Sequence, residues 1–253
     1  MLKRVFTAAY RLVLKGAALV LAGMVVLAVL FNIPGSSQVA WPEQDCTDAL
    51  IVGLRGNGDA GGMGGDTGGV VDHLLPKLQR RLTTTAVAFL YDTGPAVEVG
   101  GHIKSGSHAL VSFMTARHQK CANEQWVLIG QSEGAAIVHS SLPSLPDQVA
   151  AVVLLADPIW ISGAPYNVAD DIGYGIISQP MFGTVAGFGS IVDDVPTSMA
   201  GRVRSYCLRE DPACDFNAIA LFKGARLIEI HTSYRYHSAL LEDAATFAAS
   251  HVQ

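Results

Sequence analysis

The chain has 253 residues, half of them hydrophobic, with 26 glycines and a formal net charge of −5. About thirty N-terminal residues read as targeting sequence. Roughly 215 remain, enough for one domain with a sizeable core and too few for two ordinary ones. No long run of either charge occurs, which excludes the basic stripe of a nucleic-acid-binding surface, and the apolar, glycine-rich balance fits an α/β domain with many tight turns.

Lys3, Arg4, Arg11 and Lys15 precede an apolar stretch from Gly16 to Phe31 that Pro34 and Gly35 close. A positive flank followed by an apolar run is the layout of a secretory signal. The run is long for a cleaved signal and short for a comfortable bilayer span. Two outcomes therefore stand open: cleavage near Gln38-Val39-Ala40, or an uncleaved anchor that ties the protein to the membrane. Both leave the positive flank inside and export the domain. Residues 1–40 are expected as signal or anchor with its linker, and residues 41–253 as the folded domain, secreted or held in the cell envelope. In that oxidising setting Cys46, Cys121, Cys207 and Cys214 suggest two disulfides, for which three connectivities are possible. No Cys-x-x-Cys pair supports zinc.

Residues 49–54 form a short apolar run expected as a buried strand, followed by a glycine-rich loop over 56–69. Val70, Val71, Leu74, Leu75, Leu78 and Leu82 then recur at helical spacing, with Pro76 inside the pattern predicting a kink or a late start. A strand is predicted over 86–91, a helix capped by Ser107 running to about His118, and a strand over 126–129. A helix over 133–140 and a continuous apolar strand over 149–156 follow. This alternation predicts an α/β fold with a mostly parallel central sheet and helices on both faces. The pattern lapses over 158–201, a long apolar stretch of the kind that forms a functional loop or lid. A last strand over 202–206 and a closing amphipathic helix over 238–249 complete the chain.

Gly130-Gln131-Ser132-Glu133-Gly134 falls directly between a predicted strand and a predicted helix. That context turns a common pattern into a nucleophile elbow: a sharp turn strains the serine, and small flanking residues keep the neighbouring chain clear of it. The hydroxyl then projects at the carboxyl edge of the sheet, and the helix N-terminus offers N–H groups to a developing anion. A serine nucleophile needs a base and an acid, which in this fold follow in the order serine, acid, histidine. Asp211 is a candidate acid. His231 and His237 are candidate bases, and His251 sits near the chain end. The glycine-rich loop lacks the Gly-Lys-Ser/Thr ending of a phosphate cradle and is expected as a pliable wall of the site.

Several motifs together resemble the cutinase family. Cys207-x-x-x-Asp211-x-x-Cys214 is similar to that family's acid-bearing disulfide loop, and the elbow ending Gly134-Ala135 to its Gly-Tyr-Ser-Gln-Gly-Ala. His231-Thr232-Ser233-Tyr234 matches its His-x-x-Tyr, and Leu54-Arg55-Gly56-Asn57 is similar to its oxyanion turn. The resemblance implies pairings of Cys46 with Cys121 and Cys207 with Cys214, which a chain-entropy estimate values at about 4 and about 2.5 kcal/mol. It implies an α/β-hydrolase-type fold and a Ser132–His231–Asp211 triad, with Asn57 and Glu133 donating to the oxyanion and no metal or cofactor. Two positions depart from the family. Glu133 stands where Gln is usual; its carboxylate suits a helix N-terminus but would oppose an oxyanion if turned inward. Asn57 replaces a hydroxyl residue, and its side-chain amide can also donate. The long loop resembles that of actinobacterial, mycobacterial-type members, which act on lipids and long acyl esters. Trp160, Phe182 and Phe188 are candidate substrate contacts, with core packing the competing explanation. The expectation is a serine carboxylic-ester hydrolase for acyl esters or lipids. A tethered binding protein without turnover and an acyltransferase with the same triad are the alternatives.

Overall fold

Five short segments, most of them rich in apolar residues, extend as strands and lie side by side, all parallel, in a single sheet. In the computed structural model, which describes residues 45–59, 61–95, 98–169, 172–179, 194–217 and 224–253, these are β1 (Ala49–Leu54), β2 (Thr84–Ala88), β3 (Gln125–Gln131), β4 (Val149–Leu155) and β5 (Val203–Tyr206). The helices between and after them are α1 (Gly65–Gln79), α2 (Val99–Lys120), α3 (Glu133–Ser141), α4 (Ala225–His231) and α5 (Ser238–His251). The strand order is β2-β1-β3-β4-β5. Successive crossovers reverse direction between β1 and β3, which opens a crevice at their carboxyl ends where ligands bind in doubly wound sheets.

The alternation of side chains along each strand divides the core in two. Leu50, Val52, Leu54, Leu128, Val152 and Leu154 face α2 and α3, whereas Ile51, Val127, Ile129, Val153 and Leu155 face α1 and α5. Every residue of β1 and β4 is buried. That explains why these strands read as continuous apolar runs rather than alternating ones. At the opposite edge of the sheet, Cys46 and Cys121 are joined, and the buried Glu124 accepts hydrogen bonds from Arg117 and Thr47. This ties the entry to β1 to the end of α2.

Some elements differ from their expected bounds. β2 begins two residues earlier than predicted and ends at Ala88. α2 begins at Val99, two turns before Ser107, whose hydroxyl donates to Lys104 O inside the helix instead of capping it. The helix runs through Gly100 and Gly101, and farther along it packs closely on α3, where a Cβ on Gly106 would lie 2.6 Å from Ile137 Cδ1 and displace that side chain. α1 starts at Gly65 and carries Pro76 without ending. The apolar run before His231 is a short helix, so His231 belongs to its last turn. The N-terminal segment expected as signal or anchor lies outside the described residues, as do Phe182 and Phe188. Among the described residues no helix is long and apolar enough to cross a membrane.

Cys207 and Cys214 are also joined, across a sequence separation of 7. Replacing both by serine is expected to lower stability by about 2.5 kcal/mol through the freed entropy of the unfolded chain. Urea unfolding of the two proteins measures it.

Candidate active site

The turn from β3 into α3 has almost no free space. Ser132 adopts φ 55° and ψ −120° as the residue capping α3, a conformation that costs a non-glycine residue on the order of 1–3 kcal/mol. Hydrogen bonds on both sides hold it: Ser132 N–H donates to Leu155 O at 2.9 Å, and Ala136 N–H donates to Ser132 O at 3.0 Å. A Cβ on Gly130 would lie 2.5 Å from Gly134 O, and a Cβ on Gly134 would overlap the carbonyl oxygen of Arg55. Both glycines of the elbow are therefore required by close approach of backbone. The second approach also brings the loop after β1 against Ser132.

Ser132, His231 and Asp211, far apart in the chain, meet at this turn. His231 Nε2 lies 2.9 Å from Ser132 Oγ, and His231 Nδ1 lies 2.8 Å from Asp211 Oδ1. Asp211 is fully buried within the Cys207–Cys214 loop. Its Oδ1 also accepts from Ala213 N–H at 2.9 Å, and its Oδ2 from the Tyr234 hydroxyl at 2.8 Å. Burial opposes protonation of His231, but the charge and hydrogen bond of Asp211, with Asp66 and Asp59 farther off, outweigh it and raise its pKa above the ordinary histidine value. Ser132 is 2% exposed, while the His231 side chain keeps 14% of its surface accessible at the mouth of the site. His237 takes no part: it is exposed, and its Nε2 lies 3.4 Å from Ser233 Oγ.

Two further side chains hold these groups in place. The Tyr234 hydroxyl donates to Asp211 and accepts from Leu208 N–H at 3.0 Å, fixing both the acid and the start of its loop. Gln131 Nε2 donates to the backbone carbonyl of His231 at 3.3 Å. Sequence reasoning found the His231-x-x-Tyr234 spacing but assigned Tyr234 no contact, and it had no signal for Gln131.

On the other side of Ser132 the α3 N-terminus presents N–H groups that no intrahelical carbonyl can satisfy. Asn57 follows Gly56, where an added Cβ would lie 3.4 Å from Ser132 Cβ. The loop is braced by Tyr91, whose hydroxyl donates to Arg55 O at 2.6 Å, and by Arg55, which donates to Tyr91 O at 3.3 Å. Asn57 Nδ2 donates to Gly94 O at 3.0 Å, so one arm of the amide expected to serve an anion is already engaged. The Glu133 side chain is turned inward and fully buried. Burial pushes its carboxyl up to about 8, with Asn57 and the Arg55 charge pulling it only partly back.

Trp160, a candidate substrate contact for which core packing is the competing explanation, lies in the core. It is fully buried and packs in the core beside α5, with Leu155, Cys214 and Tyr234 in the same cluster. The apolar mass of a tryptophan near the end of β4 is worth more under the sheet edge than in water. Among the described residues no cluster of His, Cys, Asp and Glu is arranged to hold a metal ion.

The sequence model of the cutinase family matches residues 45–252. Cutinase 11 of Verticillium dahliae is 25% identical over 193 residues, covering 68% of this chain and 61% of that protein, so the chain spans about three-fifths of its length. Carboxylesterase Culp1 of Mycobacterium tuberculosis is 25% identical over 236 residues, covering 91% of this chain and 94% of that one. The catalytic core domain of the acetyl xylan esterase from Trichoderma reesei superposes with a TM-score of 0.64 at 24% identity, over 82% of this chain and 100% of that one, which shows a shared fold.

Tyr234→Phe removes the donor to Asp211 Oδ2 and the acceptor for Leu208 N–H without changing shape. It is expected to cost about 1–3 kcal/mol of stability, read as a lower urea midpoint at unchanged slope.

Proposed function

This chain belongs to the cutinase family, and from that premise we propose that it hydrolyses carboxylic esters through an acyl-enzyme on Ser132. The observation that carries this reading is one imidazole in hydrogen-bond contact with both a strained serine and a buried carboxylate, at 2.9 and 2.8 Å.

In the first half-reaction Ser132 Oγ attacks the ester carbonyl and His231 Nε2 takes its proton. Asp211 holds Nδ1–H, fixing the tautomer, and stabilises the imidazolium that forms. The backbone N–H groups of Asn57 and Glu133 receive the oxyanion, a contribution of about 3–4 kcal/mol for each donor in comparable sites. His231 then protonates the leaving alcohol. In the second half-reaction water enters, gives its proton to His231, and releases the acid. An acyltransferase would differ only in the second acceptor. The intact Ser132–His231–Asp211 contacts weigh against a binding protein without turnover, because a strained serine and a buried charge are costs that binding alone does not require.

The proposed substrates are acyl esters or lipids. The ester carbonyl is the feature common to the cutinase and esterases named above, and the alcohol and acyl parts are set by the walls of the site. The two disulfides support work in an oxidising compartment, secreted or in the cell envelope.

Ser132→Ala is expected to abolish turnover of p-nitrophenyl esters. Asp211→Asn is expected to lower kcat by about four orders of magnitude, because the imidazole then favours the wrong tautomer. The pH profile adds a signed test. His231 must be neutral to act as base, and Asp211 raises its pKa, so wild-type activity should rise with pH through a midpoint above the ordinary histidine value. In Asp211→Asn that midpoint should move down. A midpoint that stays put would remove His231 or Asp211 from these roles.

A further inference from the structure

Acyl transfer uses the backbone of Glu133 and leaves its side chain without a task. That side chain is fully buried; the Asn57 side chain beside it and the Arg55 charge pull its pKa only partly back, and its carboxyl oxygens make no hydrogen bond of good geometry. An ionised carboxylate in such a place is costly, and the group responds by holding its proton. Its surroundings can receive one. Asn57 Oδ1 is buried without a donor while Nδ2 is committed to Gly94 O. His102 Nδ1, also without a hydrogen-bond partner, lies 3.7 Å from Glu133 Oε1. On its other side His102 Nε2 lies 3.7 Å from Glu98 Oε2, which is exposed to solvent. Gly94 makes the room for this imidazole, since a Cβ there would lie 2.8 Å from His102 Cε1.

The charged and titratable groups around Glu133 come from four elements. Arg55 stands in the loop after β1, with Asp59 farther out acting on Tyr91 and His231. Tyr91 follows β2, and its own pKa is raised by burial and by Glu133. His102 and Glu98 come from α2 and its first turn. His231 lies across the nucleophile.

We propose that Glu133 is a positioning residue for the oxyanion side of the site: as a neutral acid it donates to Asn57 Oδ1 and holds the Asn57 loop in place, and on losing its proton toward His102 and Glu98 it sets a negative charge beside the oxyanion and slows acylation. This rests on the acyl-transfer reading above. The proton carries the whole difference, since one neutral carboxyl satisfies an orphaned acceptor and one carboxylate opposes the charge that develops in the transition state. Below about pH 8 the group is neutral and the site competent; above it the carboxylate accumulates. The alkaline limit so produced is separate from the acid limit set by His231.

The test compares kcat/KM for a p-nitrophenyl ester in the full chain and in Glu133→Gln between about pH 6 and about pH 10, with active sites counted by a fluorophosphonate probe. The wild type is expected to lose roughly 30-fold between its peak and about pH 9.5. In Glu133→Gln, whose amide has the same shape and cannot ionise, that fall should be absent. An alkaline fall of equal size in Glu133→Gln, or none in the wild type, overturns the proposal. The second measurement uses Ser132→Ala labelled with 13C at the Glu carboxyls. One resonance, lost in Glu133→Gln or otherwise assigned to Glu133, should titrate at about 8, and titration in the usual carboxylate range overturns it. A wild type that neither labels with the probe nor turns over ester contradicts acyl transfer itself, a result distinct from a labelled enzyme that lacks the alkaline fall.

Discussion

Between Gly134 and the carbonyl of Arg55 there is no room for a single methyl group. That contact joins the elbow after β3 to the loop after β1, the two strands that flank the reversal in the order of the sheet. The arrangement at the site depends on it. It sets Ser132 at the crevice edge, puts Gly56 and Asn57 beside it, and points the N-terminus of α3 at the same space. The strain of φ 55° at Ser132 is tolerated because backbone hydrogen bonds to Leu155 and Ala136 leave that residue no other conformation. The geometry around Ser132 follows from two backbones packed to contact.

The electrostatics on the two sides of Ser132 run in opposite senses. Asp211 is buried, and its oxygens lie in hydrogen-bond contact with Ala213, Tyr234 and His231. Glu133 is buried with little hydrogen bonding to offset the loss of water, and burial pushes its carboxyl up to about 8. In the proposed reaction the imidazole beside Asp211 would become positive, and the space beside Glu133 would take the developing negative charge. Two acids that flank Ser132 in space differ in their surroundings, not in their chemistry.

What the sequence made legible was local. The elbow from Gly130 to Gly134 is a steric statement written in consecutive residues, and β1 and β4 announce themselves as apolar runs because both faces of a parallel sheet are covered. The closing helix was placed by its amphipathic period. The start of α2 was not legible, because Gly100 and Gly101 favour a break on their own, while the helix that holds them packs against α3 through Gly106 and Ile137. Trp160 was equally open to two readings until the core around Leu155 and Tyr234 closed over it. The contacts of Tyr234 and Gln131 with Asp211 and His231, and the inward turn of Glu133, depend on loops distant in the chain. No spacing within a single segment encodes them.

The central claim is that Ser132 becomes a nucleophile because His231 and Asp211 reach it. The most direct measurement mixes the full chain rapidly with a slowly deacylated p-nitrophenyl ester, records the first turnover, and maps the modified peptide by mass spectrometry. The account predicts a burst of nitrophenolate equal to the enzyme concentration, with the acyl group on Ser132, and no burst when His231 is replaced by alanine. An acyl group on another residue, or a burst that survives that replacement, would contradict it.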